Sequence, residues 1–155
     1  MPEVEMRADP ELLLLSIGRG RWTTLAHVIS AWDMLDAGIP CRTQLERSAA
    51  ILLGSGLIDD DDRGRLRPTR AAMKLLASPS LKHLRPRLQV RELRVVLQGH
   101  LRPPADYALQ EQVYRAAVDE YVSRGVRRVE RLTMRSDRWV ASPRRTGSGK
   151  NRGRA

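Results

Sequence analysis

The chain has 155 residues, a net charge of +10 and 41% hydrophobic residues, so we expect one main globular domain rather than a disordered polypeptide. Its single cysteine, Cys41, excludes an intramolecular disulfide bond and a metal site built from clustered cysteines. Acidic residues near the N-terminus, Glu3, Glu5 and Asp9, argue against a signal peptide, so the cytoplasm is the predicted location, with no membrane partner.

Charge is distributed unevenly along the chain. Residues 1–62 carry five basic and eleven acidic side chains, net −6, whereas residues 63–102 carry eleven basic and one acidic, net +10. Residues 103–134 are balanced, and residues 135–155 carry seven basic and one acidic side chain, net +6. The two basic segments predict a polyanionic partner. The alternative is that scattered arginines solvate the surface while an acidic half lies against a basic half.

The first two predicted helices follow a loose N-terminal segment, residues 1–8. Asp9 and Pro10 are typical of a helix start, and the predicted helix runs from Glu11 to Ile17. Thr23 or Thr24 then precedes a helix that Gly38 ends. This second helix has an apolar stripe at three- and four-residue spacing, formed by Leu25, Val28, Ile29, Trp32 and Leu35.

A third helix is predicted for residues 43–55. Thr43 and Glu46 have the spacing of a capping box, in which each side chain bonds to the other residue's backbone N–H. The periodicity assigns Leu45, Ala49, Leu52 and Leu53 to the buried face. It assigns Gln44, Arg47, Ser48 and Ser55 to the outward face.

The middle of the chain predicts a hairpin and further helices. Residues 57–69 flank an Asp-Arg-Gly turn and indicate two short antiparallel strands, followed by a helix over residues 70–77. Residues 87–98 fit either a helix or a strand, and we favour a helix because the two-residue alternation breaks at Glu92 and Leu93. A long helix is predicted over residues 105–124, ending at Gly125, and residues 135–155 should form a flexible basic tail.

This order of elements carries a family resemblance. The segment LERSAAILLGSGLIDDDDRGRLRPTRAAMKLL, residues 45–76, resembles the third helix, wing and following helix of winged helix-turn-helix proteins, among them small bacterial MarR- and PadR-like regulators. The resemblance implies a mainly α fold, with a winged-helix domain over residues 9–78 and a helical extension over residues 79–134. The activity it implies is DNA binding, and it supplies no cofactor.

On this fold, the third helix is the element that would enter a major groove of DNA. A groove about 12 Å wide admits one helix, and its outward side chains reach the base edges. The residues predicted for this role are Arg42, Thr43, Gln44, Arg47 and Ser48. Those predicted to hold phosphate from the second strand and the next helix are Arg63, Arg65, Arg67 and Arg70. The alternative is that residues 43–55 form an ordinary amphipathic helix that packs against the core and does not bind DNA.

The wing carries a conflicting signal. Asp59 to Asp62 place four like charges where phosphate would lie, and each close unscreened pair costs about 1 kcal/mol. Either these carboxylates face solvent or pair with neighbouring arginines, or the wing does not contact DNA. Hard cations bind carboxylates, but no metal-ligand spacing is present, so we expect no metal site.

The remaining notable residues bear on dimerisation and on enzyme activity. Tyr107, Tyr114 and Tyr121 recur every seven residues, and their stripe predicts either a homodimer seam or packing onto the domain's own core. The three histidines and Cys41 have no partners at catalytic spacing, so we expect no enzyme activity, no catalytic residue and no cofactor. The sequence therefore predicts a DNA-binding transcription regulator, with a non-catalytic protein-interaction module on the same fold as the alternative.

Overall fold

The computed structural model describes residues 7–18, 20–36 and 38–140. They form a mainly helical fold with one small antiparallel sheet. In chain order the elements are α1 (Pro10–Ser16), α2 (Leu25–Asp36), α3 (Arg42–Gly54), β1 (Ile58–Asp60), β2 (Leu66–Pro68), α4 (Arg70–Leu76), α5 (Pro79–Lys82), α6 (Pro86–Leu97) and α7 (Glu111–Val140). The predicted helix over residues 87–98 is confirmed as α6.

The core lies where α1, α2, α3 and α6 meet. It is largely aliphatic, and Trp32 is the largest fully buried side chain in the described part of the chain. Leu93 and Leu97 of α6 are fully buried in the same cluster as Leu13 and Leu14 of α1. The helix α6 thus belongs to the same core as the first three helices. One compact unit of the chain extends to Tyr121, and a second begins at Val122.

The sheet is the predicted hairpin with one addition. Ile58, Asp59 and Asp60 pair with Pro68, Arg67 and Leu66, respectively. Thr23, between α1 and α2, forms an isolated bridge with Leu66 through two backbone hydrogen bonds of 2.7 and 3.0 Å. Gly64 closes the turn with φ +74°, a left-handed conformation that favours glycine. The bridge attaches the hairpin to the chain between the first two helices.

The C-terminal helix differs from the prediction at both ends. Residues 101–110 form neither a helix nor a strand, and α7 begins at Glu111. It then continues through Gly125, the predicted stop, to Val140. A glycine inside a helix costs only about 1 kcal/mol relative to alanine, so the neighbouring residues outweigh it. Residues 135–140, predicted as flexible tail, are helical. Residues 1–6 and 141–155 lie outside the described residues.

Candidate nucleic-acid interface

The N-terminal half of α3 is bound to the start of α1. Gln44 Nε2 donates to Asp9 Oδ2 at 2.7 Å, and the backbone N–H of Asp9 donates to Ser48 Oγ at 2.9 Å. Arg7 Nε pairs with Asp9 Oδ1 at 2.8 Å. Ser48 is fully buried, and its hydroxyl donates back to Gln44 O at 2.6 Å. The prediction of an outward Ser48 is therefore wrong, and the half-buried Gln44 is bonded to Asp9, because the buried Asp9 carboxylate and N–H require polar partners.

The predicted helix caps are also replaced by tertiary bonds. Asp9 does not cap α1 through its side chain, since its oxygens bind Arg7 and Gln44 instead. At α3 the N-cap is Cys41, without a side-chain cap, so the capping box of Thr43 and Glu46 is not formed. Glu46 Oε2 accepts from the backbone N–H of Leu109 at 2.7 Å and from Arg42 at 2.9 Å.

Residues 101–110, which we call the strap, run antiparallel to α3 along its length. From the C-terminal end of α3 to its N-terminal end, Arg102 N donates to Ser55 Oγ and Ala105 N donates to Ala50 O, each at 2.9 Å. Arg42 Nη1 then donates to Leu109 O at 2.9 Å. Gly54 allows the closest approach, because a Cβ there would lie 2.1 Å from Pro103 O. The strap therefore covers the stripe of α3 that contains Arg42, Glu46, Ala50 and Gly54.

Little of α3 remains open. Thr43 is half-buried, and Arg47 is the one residue of this helix in the exposed class. The remaining surface is the floor of a cavity of about 810 Å³ between the strap and the segment before α1. Its lining is formed by Arg7, Ala8, Glu46, Arg47, Ala50, Ile51, Pro104, Ala105 and Tyr107. With the strap in place, α3 lies in a depression and does not protrude as a helix entering a groove must.

The wing neutralises much of its own charge. Arg65 Nε pairs with Asp61 at 2.7 Å, and Arg67 Nη2 pairs with Asp59 at 3.2 Å. Both guanidiniums also lie over the ring of Trp22, with Arg67 Cζ 4.4 Å and Arg65 Cζ 5.8 Å from its centroid. Such contacts place the two cations on the protein's own acidic and aromatic groups. Arg65 and Arg67, which were predicted to bind phosphate, thus already contact Asp61, Asp59 and Trp22.

Asp61 also organises the turn. Its Oδ1 accepts from the backbone N–H groups of Arg63 and Arg65 at 3.1 and 2.7 Å. Desolvation by burial acts to raise the pKa of Asp61, but these N–H groups and the Arg65 guanidinium prevail and hold it below its usual range. Asp61 is therefore a structural residue of the turn. Arg63, at the tip, is exposed.

The three tyrosines face their own domain. Tyr114 Oη donates to Pro40 O at 2.7 Å, Tyr121 Oη donates to Asp33 Oδ2, and all three rings pack against the core. The hydrogen bond to Asp33 is the main reason that the pKa of Tyr121 is raised, while burial is the main reason for Tyr107 and Tyr114. Of the two predictions for this stripe, packing onto the domain's own core is the one observed.

A series of exposed cations follows the wing in the chain. Between Arg63 and Arg91 the sequence contains no aspartate or glutamate. Six exposed cations of this stretch follow the wing: Arg70, Lys74, Lys82, Arg85, Arg87 and Arg91. None of them forms an ion pair within the described residues. Only Arg70 was among the predicted site residues, although the absence of carboxylates was a signal already visible in the sequence.

Arginines from distant parts of the chain meet beside α6. Arg7, Arg87 and Arg94 line a cavity of about 280 Å³ together with Leu12, Leu35 and Val90. Arg94 pairs with the buried Glu11, and Arg7 pairs with Asp9, whereas Arg87 has no ion pair in the described chain. The cavity therefore offers one uncompensated guanidinium next to two compensated ones.

Comparisons with protein-family models, with curated proteins and with solved structures give no significant match. Among the described residues, no group of three or more histidine, cysteine or acidic side chains could hold a metal ion. None of the described helices has the length and apolar content needed to cross a membrane.

Proposed function

We propose that this protein is a non-catalytic, duplex-DNA-binding protein on a winged-helix scaffold. The order of α1, α2, α3, hairpin and α4 supports the scaffold. The isolated bridge of Thr23 to Leu66 attaches the hairpin to the chain between α1 and α2. The proposal keeps the predicted partner but moves the contact surface. The DNA backbone binds α4 to α6, while α3 stays beneath the strap.

The observation that carries the proposal is the uncompensated charge that follows the wing. No aspartate or glutamate lies between Arg70 and Arg91 in the sequence, and the exposed cations of this stretch form no ion pairs in the described chain. Such a surface attracts phosphate and releases counterions on binding, which gives salt-dependent affinity without base readout. Arg65 and Arg67 contribute less, because they already contact Asp61, Asp59 and Trp22.

The test is a fluorescence-anisotropy titration of a labelled DNA duplex of about 25 base pairs with the full chain, across a salt series. We expect a dissociation constant of about 10⁻⁴ to 10⁻⁶ M or tighter at moderate salt. In R85Q/R87Q/R91Q, the slope of log affinity against log salt should decrease by about 2.7, or 0.9 per lost phosphate contact.

The matched control is Arg47→Ala on α3. Because α3 is covered, this change should reduce the slope by no more than one contact, about 0.9. An affinity weaker than about 0.1 mM at moderate salt would end the proposal, since even non-specific DNA binding is usually tighter. If Arg47→Ala abolished binding while the α6 triple variant did not, α3 would be the contact surface after all.

A second candidate, a protein-interaction module, is favoured by the cavity over α3. Its volume of about 810 Å³ and its apolar lining, with Ala50, Ile51, Pro104 and Tyr107, suit a partner's apolar side chains. Ile51→Glu would place a charge in this cavity and should weaken such a partner while leaving DNA affinity unchanged. The two candidates are thus separable by a single substitution.

A further inference from the structure

The second unit contains a helical segment whose two faces differ sharply. Within residues 122–135, five arginines and one acidic residue, Glu130, are present. At about 100° per residue, the arginines fall within an arc of about 100° and extend over roughly 16 Å of helix axis. They are Arg124, Arg127, Arg128, Arg131 and Arg135, and all are exposed. We call this set the arginine face.

Most of the arginine face has no partner in the described chain. Arg127, Arg128, Arg131 and Arg135 form no ion pair there. Glu130 lies about 60° beyond the edge of the arc, so it does not interrupt the row. Arg124 has another interaction within the protein, so we do not include it among the unpaired arginines of this face.

The opposite side of the segment is apolar. Val122, Val126 and Val129 lie within an arc of about 60° centred nearly 180° from the arginine face. They are 48%, 53% and 63% exposed. Leu132 and Met134, which are 57% and 69% exposed, lie about 40° and 20° beyond the two edges of the arginine face. A helix with an arginine face and an apolar face also has the pattern of a helix that lies on an anionic membrane, so vesicles form a separate arm of the test.

The composition argues against single-stranded nucleic acid. Residues 122–135 contain no aromatic side chain. Sequence-tolerant binding of single strands relies on aromatic rings on which the bases stack. A straight row of cations on a helix instead matches the regular, dense phosphate charge of a duplex, one charge per about 1.7 Å of axis.

We infer that the arginine face is a second duplex-DNA contact surface, separate from the cations of α4 to α6. This inference rests on the proposed function and adds a second place where the phosphate backbone is held. Four unpaired arginines that each neutralise one phosphate contribute about −3.6 to the slope of log affinity against log salt. No base contact is required of them.

The test variant is R127Q/R128Q/R131Q in the full chain, titrated with the same duplex of about 25 base pairs. Glutamine preserves helix propensity, which circular dichroism at 222 nm verifies. The slope should decrease by about 2.7, so the ratio of wild-type to variant affinity should fall about 40-fold between 50 and 200 mM salt. The matched charge control is Glu130→Gln, which should leave affinity unchanged or raise it.

The outcomes separate the two proposals. If wild-type protein does not bind the duplex, the proposed function fails and this inference fails with it. If the wild type binds, R85Q/R87Q/R91Q weakens it and R127Q/R128Q/R131Q does not, only the arginine face is refuted. It is also refuted if the α7 variant loses affinity for an RNA duplex, or for vesicles with about 30% phosphatidylserine, while its DNA affinity is unchanged.

Discussion

Replacing Gly54 by alanine tests the packing of the strap on α3. In an open helix this change would stabilise by about 0.5–1 kcal/mol, because glycine is a poor helix former. Here the new Cβ would lie 2.1 Å from Pro103 O, 2.7 Å from Ala105 N and 2.9 Å from the carbonyl carbon of Pro104. All three are backbone atoms, so no side-chain rotation relieves the clash.

The magnitude follows from these opposing effects. Overpacking of a close contact typically costs about 1–3 kcal/mol, and the lost hydrogen bond from Ala105 N to Ala50 O costs about 1 kcal/mol more. After the gain of about 0.5–1 kcal/mol in helix propensity, we expect the free energy of unfolding to decrease by about 1–3.5 kcal/mol. The assay is urea unfolding followed by circular dichroism, in which an m-value of about 2 kcal/mol/M lowers the midpoint by about 0.5–1.8 M.

Gly99→Ala is the control for this measurement. No heavy atom lies within 4 Å of a Cβ at position 99, so this variant should match the wild type within about 0.5 kcal/mol. A Gly54→Ala protein as stable as the wild type, or more stable, would refute the reasoning, because it would mean that the strap is not seated on α3.

Two further predictions concern ionic groups. Glu11 is 5% exposed and its partner Arg94 is 47% exposed, so Arg94→Gln should cost about 3 kcal/mol by leaving a buried carboxylate unpaired. Glu11→Gln should cost only about 1 kcal/mol, because Arg94 can turn to water; equal losses in urea unfolding would contradict this. Since the pKa of Asp61 is lowered in the folded protein, its stabilising contribution is present above about pH 4 and is lost as pH falls through the lowered pKa. Asp61→Asn should therefore reduce the loss of stability between pH 5 and pH 2, and an unchanged acid sensitivity would count against that role.

Local signals in the sequence predicted the elements well. The stripes of α2 and α3 and the Asp-Arg-Gly turn predicted helices and strands close to their observed bounds. These features depend on neighbouring residues, because periodicity and turn conformation are properties of a short stretch of chain. The exceptions are α5, a short helix that the sequence did not predict, and α7, where a single glycine was taken as a stop although the residues on both sides favour a helix.

The candidate site depended on residues that are distant in sequence. Gln44 and Ser48 are polar and lie next to Arg47, so helix periodicity alone assigned them to the outward face. The structure instead pairs them with Asp9, 35 and 39 residues away. No periodic pattern encodes such a pairing, which follows from where α1 meets α3.

The sequence by itself thus determined the helices and the hairpin, because each follows from the periodicity and turn residues of a short stretch of chain. It also determined the large positive charge of residues 63–102, which is a sum over neighbouring residues. Only the tertiary structure decided which cations remain exposed. Folding brought Trp22 to Arg65 and Arg67 and laid the strap over α3, while it left Arg87 and Arg91 without ion pairs in the described chain. A charge contributes to binding according to its three-dimensional neighbours, and those neighbours are set by packing between segments far apart in the chain.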